Sequence, residues 1–307
     1  MRYFYFLLLP ICFYNCAASI EQQPNDTATK TFINSIETDN YELFLPTIEQ
    51  KGVLILFPGF PETPTVIQRE FKIAGPALNA GVAVVLMKFN QRLWLETDEK
   101  FRLTKIINDL HASHNLSDKK VYIGGFSAGG NISLLFANHL VQTQNIIQPK
   151  GVFSIDAPVD LQGLYEVAQR NIERNFTKIS VQESEGIFRL FHQKFGQPLG
   201  ELANYEDYSP FTKKTSNIQN LAHLKSLKIR LYTEPDVEWW QKNRQNDWED
   251  MNAFYIKHLA DKLRQRFSDQ VEYIPTKNRG YRANGQRHPH SWAIVEVNDL
   301  LEWMLED

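Results

Sequence analysis

The stretch Val121-Tyr122-Ile123-Gly124-Gly125-Phe126-Ser127-Ala128-Gly129-Gly130-Asn131 decides the reading of this chain. It opens as a short apolar run, crosses a cluster of small residues, and continues as a helical pattern in Ile132, Leu135, Phe136 and Leu140. That change of period predicts a strand, a sharp turn and a helix. Inside it, Gly125-Phe126-Ser127-Ala128-Gly129 fits the pattern G-x-S-x-G. In that pattern a serine stands on a strained turn, and flanking side chains would collide with the strand and the helix. The hydroxyl is then exposed at a helix N-terminus, where a backbone N–H and the helix dipole favour developing negative charge. The five residues alone arise by chance in roughly one chain of this length in ten. Their placement between a strand and a helix is what gives them weight.

Outward from the turn, apolar runs alternate with helical stretches. Val53 to Phe57, Val82 to Met87, Lys120 to Gly124, Gly151 to Ile155, Ile229 to Thr233 and Val271 to Ile274 are continuous enough for strands covered on both faces. Two earlier strands, near Phe32 to Ile36 and Tyr41 to Leu45, make an antiparallel edge. Between the runs, Phe101, Ile106, Ile107 and Leu110 recur at helical spacing, with Thr97 as N-cap. A second stripe runs from Asp247 to Phe267, and a last helix from Trp292 to Met304. Strands alternating with helices imply a mostly parallel sheet. Residues 161–224 break the alternation with a long helical insertion, read as a cap over the C-terminal ends of the strands. It offers Tyr165, Phe188, Phe191 and Phe195, and Trp239 and Trp240 follow soon after it. These aromatics either line an acyl site or pack the cap.

The segment Gly124 to Asn131 resembles the elbow of α/β-hydrolase esterases, above all the hormone-sensitive-lipase and acetyl-esterase types. The order of elements is similar over residues 31–307. Where those esterases carry a His-Gly-Gly-Gly motif, this chain has Phe57-Pro58-Gly59-Phe60-Pro61, which is similar to the simpler loop of other branches. The resemblance implies an α/β-hydrolase fold: a central sheet of about eight mostly parallel strands, helices on both faces and a helical cap. It implies Ser127 as nucleophile, then an acid, then a histidine, in that chain order. The acid is expected after the run Ile229 to Thr233. Asp236 fits the family's acid position and follows Pro235; Glu234 is the alternative, with Asp247 and Asp250 further along. The base is expected just before the last helix, at His290, with His288 as the alternative. The backbone N–H groups of Phe60 and Ala128 take the oxyanion positions, since Pro61 has no N–H to give. No metal and no organic cofactor is implied.

The rest of the chain limits the setting. Its 307 residues are 43% hydrophobic and 22% charged, with net charge -3, which gives no general attraction to nucleic acid or an anionic membrane. Arg2 and the apolar run Tyr3 to Phe13 form a signal-peptide pattern, too short to span a bilayer. Cleavage after Ala18 fits it, as does lipidation of Cys16 in a bacterial lipoprotein, which would be the chain's one membrane attachment. Residues 19–30 are a polar tether. The only cysteines, Cys12 and Cys16, lie in the leader, leaving no thiol nucleophile, disulfide or cysteine zinc site in the body. The expectation is an exported serine hydrolase acting on a small or acylated carboxylic ester. Peptide or amide bonds, or a non-catalytic binding role on the same scaffold, are the alternatives.

Overall fold

The computed structural model describes residues 35–118 and 120–306. The leader at 1–18, the tether at 19–30 and the start of the first expected strand lie outside them.

Strand β1 (Ser35–Glu37) pairs antiparallel with β2 (Tyr41–Phe44). Strand β3 (Gly52–Phe57) leads through helices α1 (Pro64–Glu70) and α2 (Ala74–Asn79) to β4 (Val82–Met87). Helix α3 (Thr97–His114) precedes β5 (Val121–Phe126), α4 (Ala128–Gln142) and β6 (Pro149–Ile155). Helices α5 (Leu161–Arg174), α6 (Lys178–Phe195) and α7 (Pro198–Glu206) come before β7 (Lys228–Thr233). Helices α8 (Val237–Arg244) and α9 (Asn252–Phe267), strand β8 (Val271–Pro275) and helix α10 (Val297–Leu305) complete the order.

The eight strands lie in the order β1-β2-β4-β3-β5-β6-β7-β8. β2 joins β4 antiparallel, and every pairing from β4 to β8 is parallel. β3, β4 and β5 are buried along their whole length, which is why they read as unbroken apolar runs. Leu103, Ile107 and Leu110 of α3 and Ile256, Leu259 and Leu263 of α9 turn their apolar stripes onto this sheet's core. The chain steps from β3 to β4 on one side and returns to β5 on the other. The loops after β3 and β5 therefore diverge at a switch point, where open parallel sheets place their ligand crevice.

Helix ends differ from the sequence pattern: the stripe expected from Asp247 opens as a 3-10 turn at Trp248–Asp250, and α9 begins only at Asn252. The N-cap of α3 is Glu96 rather than Thr97: Glu96 and Glu99 form a reciprocal capping box, so two carboxylates serve the orphan N–H groups. The expected last helix from Trp292 to Met304 is two elements, a single 3-10 turn at Trp292–Ile294 and then α10, because Val295 and Glu296 are extended.

Helices α5 to α7 pack their apolar residues together and against the sheet loops. Tyr165, Phe191, Phe195 and Tyr205 form one buried cluster with Leu93, Trp94 and Ala128. The two ends of this insertion are fastened by Asp160, which is buried. One carboxylate oxygen accepts the N–H of Gly163 at 2.9 Å and the other accepts the N–H of Lys213 at 2.8 Å. Burial pushes this carboxyl up to about 6, against the pull of its two backbone N–H bonds, and Glu166 adds to the rise. A folded value above the unfolded one means stability present below pH 4 and lost as pH rises through 6, a difference of about 3 kcal/mol. The stability difference between wild type and Asp160→Asn, from denaturant titrations, is therefore expected to fall by about that amount between pH 4 and pH 8. A difference that stays flat or grows with pH would contradict the assignment.

Candidate active site

Ser127 stands between β5 and α4 with φ 52° and ψ -123°, a conformation that non-glycine residues rarely adopt. The strain is held from both sides. Its N–H donates to the carbonyl of Ile155 at the end of β6 (2.8 Å), and its carbonyl accepts the N–H of Gly130 (2.9 Å). The motif glycines are required by close approach. A Cβ on Gly125 would lie 2.3 Å from the carbonyl oxygen of Gly129, and one on Gly129 would lie 2.2 Å from that of Phe57. The second contact also shows that the chain leaving β3, at Phe57 and Pro58, runs against Gly129 in the first turn of α4.

His290 reaches the same place from the loop after β8. Its ring lies on Phe126, the residue before the nucleophile, with centroids 4.4 Å apart. Its Nδ1 lies 2.6 Å from Oδ2 of Asp156. An ionised carboxylate only accepts, so Nδ1 carries the hydrogen and the neutral ring keeps Nε2 as its acceptor. Asp156 directly follows β6, with φ 44°. Its N–H donates to the carbonyl of Tyr232 (2.8 Å), and its own carbonyl accepts Nδ2 of Asn252 (2.8 Å). Its other oxygen accepts the hydroxyl of Thr233, wholly buried on β7, at 2.6 Å. A chain Thr233–Asp156–His290 thus crosses from β7 to the elbow. Among the described residues the Ser127 hydroxyl makes no hydrogen bond of its own.

Solved structures share this arrangement of elements. A carboxyl esterase from the mycorrhizal fungus Tuber melanosporum matches with a TM-score of 0.57 over 92% of this chain and 87% of that one, at 13% identity. A substrate-bound, fluorophosphonate-binding serine hydrolase of Staphylococcus aureus matches at 0.54, over 87% and 92%, at 15% identity. An esterase/lipase from an uncultured bacterium matches at 0.53, over 90% and 86%, at 12% identity. No family model matches the sequence, and no curated protein does. The chain has the α/β-hydrolase fold.

In this fold the carboxylate against the histidine comes off β6, after Ile155, and not off β7 as expected from sequence. Asp236 does not meet His290. It caps α8 by accepting the N–H of Trp239 (3.0 Å) and pairs with Nη2 of Arg287 (2.5 Å). Glu234 is buried and equally committed. It accepts the Thr276 hydroxyl (2.9 Å), the N–H of Arg279 (2.9 Å) and the N–H of Gly280 (3.1 Å), and pairs with Nη1 of Arg287 (2.6 Å). Both carboxylates after β7 therefore hold the loop that delivers the histidine, through Arg287, and leave the imidazole to Asp156. Asp250 pairs with Arg170 and Arg174 of α5, at 2.7 and 2.6 Å. Asp247 shares a capping box with Asp250.

His288 is not placed as a base either. Its Nδ1 donates to the carbonyl of His290 (2.9 Å), and its ring packs on Trp239 at 4.7 Å between centroids. Burial, with the charges of His290, Arg282 and Arg244, pushes it down to about 3, so it stays neutral. The cap aromatics Tyr165, Phe191 and Phe195 are core residues; Phe188 stacks on Tyr165 and is half-buried. Trp239 and Trp240 are half-buried beside the histidine loop. Two surface clefts, about 310 and 510 Å³, lie elsewhere, and neither is lined by Ser127, Asp156 or His290. Among the described residues no group of three or more His, Cys, Asp or Glu could hold a metal ion. Nor is any described helix long and apolar enough to cross a membrane.

Proposed function

We propose that this chain is a serine hydrolase that cleaves carboxylic esters through an acyl-enzyme. Ser127 is the nucleophile, His290 the general base and Asp156 the carboxylate that orients it. The observation that carries this reading is the 2.6 Å contact of His290 Nδ1 with Asp156, on an imidazole lying against the strained serine turn.

The serine Oγ attacks the ester carbonyl while Nε2 of His290 takes its proton. The oxyanion is met by the N–H groups of Phe60 and Ala128, one from each loop at the switch point. The intermediate collapses, and the leaving alcohol takes the proton back from His290. Water then repeats the sequence and frees the acid and Ser127. The missing serine–histidine hydrogen bond closes in the substrate complex, as such bonds are often long in the free enzyme. The solved neighbours whose names include esterase or serine hydrolase support the reaction class. On the same reading the leader, by cleavage after Ala18 or lipidation of Cys16, sends the enzyme out of the cytoplasm.

The test is a panel of p-nitrophenyl esters from acetate to palmitate, acetylated sugars and peptide amides, run alongside stoichiometric labelling by a fluorophosphonate. Esters are expected to turn over fastest, with one label per chain. Labelling with amides preferred would move the substrate class. No label and no turnover would leave a binding protein on this scaffold.

A further inference from the structure

We propose that Glu62 is a positioning residue of this site, a second carboxylate that locks the oxyanion loop to the histidine segment and faces the imidazolium as it forms. This rests on the serine-hydrolase reading above.

The loop after β3 has to hold an N–H at a fixed point while touching the substrate, so it needs bonds of its own. Glu62 supplies them. Its N–H donates to the carbonyl of Gly59 (2.7 Å), and its Oε2 accepts the N–H of Gly59 (3.0 Å), closing the turn around Phe60 and Pro61. Its carbonyl accepts Nδ2 of Asn90 (2.7 Å), which ties the turn to the segment after β4. The same Oε2 accepts the indole N–H of Trp292 (3.0 Å), two residues beyond His290. Trp292 is buried, stacked on Phe71 at 4.9 Å and lying on Phe126 at 5.3 Å, so it does not yield. One carboxylate oxygen therefore joins the segment that carries the proposed oxyanion donor to the segment that carries the base.

The charge has a second effect. Burial raises the Glu62 carboxyl, and Glu70 raises it further. The Trp292 and Gly59 N–H bonds and His290 work the other way and favour the ion. Asp156 and the neutral His288 touch His290, and Glu62 lies near enough for the two charges to act on each other. Asp156 orients the ring through Nδ1, and Glu62 makes no hydrogen bond to it. Its contribution is a field that favours the protonated ring, which forms when Ser127 gives up its proton.

The pair Glu62→Gln and Glu62→Ala separates the two effects. Glutamine keeps an oxygen for the Gly59 and Trp292 N–H groups and removes only the charge. In Glu62→Gln, an NMR titration of the His290 ring is expected to move to lower pH, because an anion that favours the protonated ring is gone. The acidic limb of kcat/KM moves with it, and kcat falls about tenfold at unchanged KM. In Glu62→Ala the loop is also released, and kcat falls further. An unmoved His290 titration in Glu62→Gln, with wild-type kcat, overturns the proposal. Because that titration needs no turnover, a wild-type chain inert toward every ester would sink the hydrolase reading and still leave the role of Glu62 decided.

Discussion

Ser127→Ala is expected to abolish ester turnover, lowering kcat by roughly 10⁴ to 10⁶, while the protein unfolds at the wild-type temperature or slightly above it. Two local features separate activity from stability here. The hydroxyl has no hydrogen bond among the described residues, so removing it orphans nothing. The strain at φ 52° is held by backbone bonds to Ile155 and Gly130, which alanine retains. The loss is thus confined to the attacking oxygen. The proposed oxyanion N–H groups and the substrate contacts stay in place, so the residual rate that such sites show without their nucleophile is expected to remain. Steady-state kinetics on the best ester, with thermal unfolding as the fold control, measures both halves. Near-normal hydrolysis by the alanine variant would end the assignment. A large drop in unfolding temperature would mean that the serine was holding the turn rather than standing on it.

The sheet was legible because its physics is local. The buried parallel strands have to be apolar on both faces, and Val53 to Phe57, Val82 to Met87 and the run before the elbow say so without any partner in view. The elbow was legible for the same reason, since its glycines answer to contacts only a few residues away. Helices α1 and α2 were not. They are seven and six residues long, too short for a periodic stripe to stand out beside their prolines. The carboxylate that meets His290 is not legible for a different reason. Asp156 follows the apolar run Gly151 to Ile155 directly, and a carboxylate within a few residues of a run's end is the signal used one strand later for Glu234 and Asp236. All three carboxylates satisfy it, and only the partners distinguish them. Those partners, Arg287 for two and His290 for the third, lie between 51 and 134 residues away in the chain. Nothing in the spacing tells which carboxylate meets a guanidinium and which an imidazole.

That distinction fixes the second large effect. Asp156→Asn is expected to lower kcat by roughly 10³ to 10⁴, with KM little changed. The carboxylate serves two donors at once, the Thr233 hydroxyl on one oxygen and Nδ1–H of His290 on the other, each at 2.6 Å. An amide has only one oxygen. If it stays with Thr233, the amide N–H₂ faces Nδ1. The ring must then move its hydrogen to Nε2, which can no longer take the serine proton. If the oxygen turns to His290 instead, the orientation survives but the charge that stabilises the imidazolium is gone. Either outcome falls on the step in which Ser127 is deprotonated. Asp236→Asn is the matched control. An amide oxygen still caps α8 through the N–H of Trp239, and Glu234 still holds Arg287, so activity within about threefold of wild type is expected. Kinetics of the two variants, side by side on one ester, decide which strand carries the acid. If Asp236→Asn is the crippled variant and Asp156→Asn is not, the His290–Asp156 contact is not the catalytic one, and the loop after β8 must rearrange before the chemistry begins.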